Sequence, residues 1–243
     1  MGLPLLGPGL GPLLFPGVVD TTHLGWAGEA ILEYKPDVVV VIGDFWDLPS
    51  LSNYDLPGSK ETIGRNILAD IEVGNEAFIK LTQPMFDRME QIYKNKQKLW
   101  RPQLHFLFGN HEHRITKVIS NDPKLDGLLT PDALKTPGFT RHHFLKIVTI
   151  DGIRYCHYFP NPYTGKPIGG TIPNRLNHIG GSFVQGHQQG FLYGTKQYPG
   201  CIVEALKVYR SGGYTVNHFL KSYGNKIWYP GKKYRIGMVA KTW

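Results

Sequence analysis

Asp37-Val38-Val39-Val40-Val41-Ile42-Gly43-Asp44-Phe45-Trp46-Asp47 is the stretch on which the fold turns. Its run of β-branched residues suits a strand buried on both faces. The glycine then lets the chain bend, so that a carboxylate stands at the strand's carboxyl end, where α/β sheets place their chemistry. Just upstream, Ala27 to Tyr34 reads as a short helix closed by Lys35-Pro36, which makes this an α/β chain from its first regular elements.

The same design recurs downstream. Leu104 to Phe108 is a second apolar run and delivers Gly109-Asn110-His111-Glu112 at its end. Between the two, Leu48 to Lys60 is a loop and residues 61–98 are a helical insertion. There Ile63, Ile67 and Ile71 share one face, and Phe78, Leu81, Met85 and Met89 continue it around a break expected at Pro84. Asn121 to Pro137 is polar and loop-like, with room for a short helix. Phe144 to Ile150 and Ile153 to Phe159 flank Asp151-Gly152, a hairpin signal whose second arm carries His157. Asn161 to Gly170 reads as a loop beside the site, Asn174 to Ile179 as a helix, and Phe183 to Gln185 leads into Gly186-His187-Gln188-Gln189. Cys201 to Tyr209 has strand character, and no internal repeat is present.

These signatures carry a carboxylate, a carboxamide and imidazoles to one sheet edge. Asp44 can bridge two cations, and with Asn110, His157 and His187 it completes one site of mixed oxygen and nitrogen ligands, suited to Mn, Fe or Zn. His111 neighbours a ligand and can protonate a leaving oxygen or stabilise phosphoryl charge, with Asp47 orienting its ring. Each signature alone is a common turn. Three of them closing apolar strands, with a histidine on a hairpin between the last two, favour a phosphoesterase that uses a metal-activated water.

With these residues in view, the chain resembles the calcineurin-like metallophosphoesterase superfamily, and within it the phage and prophage members. The family pattern runs Asp-x-His, Gly-Asp-x-x-Asp, Gly-Asn-His-Asp/Glu, His, Gly-His-x-His, and residues 38–190 cover the last four elements. Pro49-Ser50-Leu51-Ser52, His113-Arg114-Ile115 and Asp122-Pro123-Lys124-Leu125-Asp126-Gly127 resemble the phage branch as well. The resemblance implies a four-layer α/β/β/α sandwich with two mixed β-sheets and a dinuclear centre at the sheet edges. It implies that Asp44 bridges, that Asn110, His157 and His187 hold one metal, that His111 is the catalytic imidazole, and that Arg114 meets the substrate.

The chain departs from the family pattern twice. The last family histidine is here Gln189, whose amide oxygen favours Mn or Mg over softer metals. The first motif has two registers. Asp20-Thr21-Thr22-His23 matches Asp-x-His with one residue inserted, making Asp20 and His23 candidate ligands. Alternatively, His23-Leu24-Gly25-Trp26 lies downstream of that motif, and the carboxylate should then fall near residues 11–13, where none exists. The second register is the better match and leaves the first metal weakly held. Mn is the expected cofactor, with Fe, Zn and Mg as alternatives.

Composition sets the remaining bounds. The 243 residues suit one domain over 20–243, preceded by a Gly/Pro-rich arm at 1–19 with neither a basic opening nor an apolar run long enough to span a bilayer. Cys156 and Cys201 are too few for a disulfide framework, so the expectation is a cytoplasmic protein, in host cytoplasm if phage-encoded. The net charge of +8 equals the eight basic residues that follow Glu204, where no acid occurs and aromatics are interleaved. That segment, 205–243, suits nucleic acid. A β-rich closing segment with solvated lysines is the simpler reading. Two rivals to a phosphoesterase remain: a catalytically weakened member that binds nucleic acid or a partner, and a separate zinc site among His105, His111, His113, His142 and His143. Core or surface roles account better for that last group.

Overall fold

The computed structural model describes residues 21–52, 64–188, 192–198, 201–207 and 236–239. Within them lie four helices and two sheets, a mixed α/β architecture. The strand read first is β1, Val38–Val41. It pairs in parallel with β2, Gln103–Leu107, on one side and with β9, Ile236–Val239, on the other. A short β3, Thr140–His142, extends the sheet beyond β2, so its order is β3-β2-β1-β9. Its four described strands are all parallel, where a mixed sheet was expected.

The second sheet is mixed. The hairpin of β4, Val148–Ile150, and β5, Ile153–Cys156, turns at Asp151 (φ 48°) and Gly152 (φ 77°), both left-handed as a two-residue turn of the primed type requires. β6, Phe183–Gln185, lies parallel to β5, and the antiparallel pair β7, Leu192–Tyr198, and β8, Cys201–Lys207, completes the order β4-β5-β6-β8-β7.

The alternation of β1 explains how the layers meet. Val39 and Val41 join a core with Leu24, Ala27 and Ile31 of α1 (Thr22–Tyr34) and Phe78, Leu81 and Met85 of α2 (Ile67–Lys94). Val38, Val40 and Ile42 point the other way, onto Ile153, Tyr155 and Val184 of the second sheet. Cys156 and Phe183 then pack on Ile172, Leu176 and Ile179 of α4, Ile172–Ile179. A strand buried on both faces must be apolar at every position, which is why five consecutive β-branched residues belong here. Each such side chain contributes about 1.5–3 kcal/mol by its burial.

Several expectations change. α1 begins at Thr22 and therefore includes His23 in its backbone. α2 starts at Ile67, where the Asn66 side chain accepts from the amides of Leu68 (2.9 Å) and Ala69 (3.4 Å), and it runs unbroken through Pro84. The carbonyl that Pro84 deprives of a donor is that of Lys80, an exposed residue, so water can satisfy it. Residues 113–121 form α3, His113–Asn121, which the β-branched content of that segment concealed. The loop read over 121–137 contains two single turns of 3-10 helix, Pro123–Leu125 and Pro131–Ala133. The whole arm at 1–19 lies outside the described residues, as does the basic aromatic segment apart from the end of β8 and all of β9. Among the described residues, no helix is long and apolar enough to cross a membrane.

One core residue is out of place chemically. Gln185 is fully buried at the end of β6, and among the described residues neither its amide oxygen nor its nitrogen finds a hydrogen-bond partner. Leaving a buried polar group unpaired costs about 1–3 kcal/mol. Gln185→Leu, of similar volume, should therefore raise unfolding stability by at least about 1 kcal/mol, read as a higher urea midpoint at unchanged slope. A lowered midpoint would show that Gln185 is satisfied in solution.

Candidate metal centre

The site begins with two glycines that let two loops touch. Gly43 sits at φ 86°, and a β-carbon there would lie 2.4 Å from the Gly109 nitrogen. A β-carbon on Gly109 would in turn lie 2.3 Å from the Asp44 amide nitrogen. Only glycine at both positions lets the loop after β1 cross the loop after β2 this closely.

Glu112 fastens the crossing. Fully buried, it accepts from the amides of Asp44 (2.9 Å) and Gly109 (2.8 Å) on one oxygen and of Phe45 (2.5 Å) and Trp46 (3.0 Å) on the other. Burial, and then the Asp44 carboxylate, hold its pKa above the ordinary value, and His157 and the amide donors offset this only in part. Both oxygens are fully engaged as acceptors, so the carboxylate is the form this geometry supports. The sequence reading quoted Glu112 as part of a motif and gave it no role. Two acceptor oxygens inside a glycine-rich turn were the available signal.

Phe45 and Trp46 anchor the same loop from below. Their rings lie 5.1 Å apart, Trp46 stacks on Phe78 at 5.5 Å, and Phe106 and Phe139 complete the cluster. Asp44 itself is 2% exposed and holds a left-handed backbone, φ 55°. Its Oδ1 accepts the His111 amide at 3.0 Å, which leaves Oδ2 turned toward the histidines.

Four expected ligand residues converge there. His157, just past β5, donates from Nδ1 to the Ile42 carbonyl at 2.8 Å, which fixes the tautomer and directs Nε2 inward. That Nε2 lies 3.3 Å from Asp44 Oδ2, 3.0 Å from Asn110 Oδ1 and 3.3 Å from His187 Nδ1. His187, at φ 65° after Gly186, brings Nδ1 to 2.8 Å from Asn110 Oδ1. Two carbonyl-type oxygens and two ring nitrogens this close repel one another unless a proton or a cation lies among them. Burial opposes charge on His157, yet Asp44 and the Ile42 carbonyl outweigh it and hold its pKa above the ordinary value. The donor set therefore fits a divalent cation, and among the described residues Asp44, His157 and His187 are the one His/Asp group close enough to hold a metal.

His111 stands beside this cluster. Its Nδ1 lies 2.6 Å from the Asp47 carboxylate and 2.9 Å from the Asp47 carbonyl, so the proton sits on Nδ1. Nε2 then faces Asp44 Oδ2 at 4.0 Å. Arg114 donates to the carbonyls of Asp47 (2.6 Å) and Leu48 (3.1 Å) and reaches within 3.5 Å of His111 Nε2. It thereby braces the loop that orients His111, a role its sequence position did not suggest.

Asp20 and Gln189 lie outside the described residues, and His23 is placed only as part of α1. None of the other histidines belongs to a metal-holding group among the described residues. His105 and His142 pair across β2 and β3 at 3.0 Å, and His113 stacks on Phe144, so the zinc alternative gives way to core and surface roles. Cys156 is likewise core: burial pushes its thiol up to about 12, and it donates to the Tyr158 carbonyl. No protein family, curated protein or solved structure matches the chain.

Proposed function

We propose that the protein is a metal-dependent phosphoesterase of the calcineurin-like kind, hydrolysing phosphomono- or phosphodiesters, with nucleotides or nucleic acid as the substrate class. One observation carries this reading: Asp44, Asn110, His157 and His187 converge from four strand ends beside an imidazole held by a carboxylate. The order of packing, with α1 and α2 on one sheet, that sheet on the second, and α4 outside it, supports the four-layer reading.

A divalent cation held by these four residues, Mn foremost by their chemistry, would supply Lewis acidity toward the phosphoryl group and its attacking water. The chain's own residues do the rest. Asp44 contributes the buried negative charge that favours a cation, and the Ile42 carbonyl keeps His157 in its ligating tautomer. Asp47 holds the Nδ1 proton of His111, so a second proton on Nε2 is the one available to a leaving oxygen. Arg114 keeps Asp47 in place and adds positive charge where phosphate oxygens would gather. A partner cation would rely on Gln189 and on Asp20 or His23.

The purified chain, given Mn, should hydrolyse bis(4-nitrophenyl) phosphate or 4-nitrophenyl phosphate, and His111→Ala should lose about 10²–10⁴-fold in kcat while still binding Mn. Mn binding with no turnover of either ester at any Mn concentration would replace this reading with the silent binding module.

A further inference from the structure

We propose that a cavity beside the metal centre receives a nucleobase, so that the phosphoester presented to Asp44 is that of a nucleoside. The phosphate half of this statement rests on the phosphoesterase reading, whereas the base pocket stands on its own lining.

The cavity, of about 530 Å³, opens at the carboxyl ends of β2 and β3 and is lined by Phe108, His113, Pro131, Arg141, His142 and Phe144 among others. That volume is in the range of small-molecule sites, roughly 300–1,000 Å³. Phe144 is the wall shared with the metal centre: its ring lies 6.2 Å from that of His157 and 5.7 Å from Tyr158, and Tyr158 lies 4.7 Å from His187. A molecule filling this cavity thus sits one ring, Phe144, away from His157 and two rings, Phe144 and Tyr158, away from His187.

The lining selects a flat, hydrogen-bonding group. His113 stacks on Phe144 with centroids 4.7 Å apart and planes 19° from parallel. Elsewhere in the lining, Arg141 lies over Phe108 at 4.9 Å and is fixed by Asp132 (2.8 Å) and the Pro131 carbonyl (2.5 Å). Because Asp132 already neutralises Arg141, this guanidinium is a poor phosphate anchor and a good stacking plane. Burial lowers the pKa of both His113 and His142, which favours neutral rings able to meet donor and acceptor edges with the nitrogens that the His105–His142 pair leaves open. A lipid chain would leave those polar edges unpaired, and a bare phosphate would leave the aromatic faces unused.

Adenosine, which carries no phosphate, is the probe. Saturation-transfer NMR on the full chain in EDTA should show contact to the adenine protons, with ribose alone giving none. Phe144→Leu, which keeps bulk and removes the ring face, should weaken adenosine at least about tenfold, and Arg141→Met should do so independently, each variant first checked for an unchanged thermal transition. Absence of adenosine contact in the wild type, or equal contact in both variants, overturns the proposal. Adenosine bound through Phe144 by a protein that hydrolyses no phosphoester would sink the phosphoesterase reading and leave the base pocket standing. Hydrolysis without adenosine binding does the reverse.

Discussion

Asp44→Asn should lower phosphoester kcat/KM by at least about 10³-fold, equivalent to some 4 kcal/mol of transition-state stabilisation. The substitution removes one charge and almost nothing else. Asn keeps an oxygen where Oδ1 accepts the His111 amide, and it tolerates the left-handed backbone at φ 55° better than most residues. What disappears is the buried anion that attracts a cation and holds the pKa of His157 up. Two readouts separate charge from fold. The metal-free variant should melt close to wild type, because the lost repulsion between Asp44 and Glu112 offsets the lost attraction between Asp44 and His157. The rise in melting temperature that Mn gives the wild type should vanish, since a ligand stabilises only the state that binds it. Retained Mn stabilisation would remove Asp44 from the centre of the site.

Glu112→Ala should be the most destabilising single change in this region, by about 3–5 kcal/mol. Four amides, those of Asp44, Phe45, Trp46 and Gly109, would lose their acceptor in a place water does not reach. Glu112→Gln is no rescue. Whichever way its amide turns, an NH2 group meets two N–H donors, so a large part of the loss persists. Equilibrium urea unfolding measures both, and the expected order is wild type, then Gln, then Ala. If Ala matched the wild type, the two loops would not depend on Glu112 for their crossing.

The sequence made the site's members legible because each follows an apolar run, and a strand end followed by glycine is a local signal. Gly43-Asp44, Gly109-Asn110 and Gly186-His187 are placed as that signal predicts. The hairpin at Asp151-Gly152 was readable for the same reason: two left-handed residues leave few alternatives. Interactions between loops were not readable. Nothing local tells Glu112 that its partners are 66 to 68 positions upstream, or Arg114 that its partners are the carbonyls of Asp47 and Leu48. Pro84 misled because helix breaking is a local tendency, and the packing of Leu81 and Met85 into the core overrides it. β3 was hidden because its three residues, Thr140 to His142, are polar enough to read as a loop.

The pairing of β1 with β9 also sets a timetable for biosynthesis. Val38–Val41 is made well before Ile236–Val239, which covers one of its two edges. Until then this wholly apolar strand offers an open backbone ladder to any neighbouring nascent chain. Chains halted before residue 236 should therefore gather into aggregates rather than persist as soluble folding intermediates. Removing the basic segment to probe its affinity for nucleic acid would expose that same edge, so charge reversal at its lysines is the cleaner intervention.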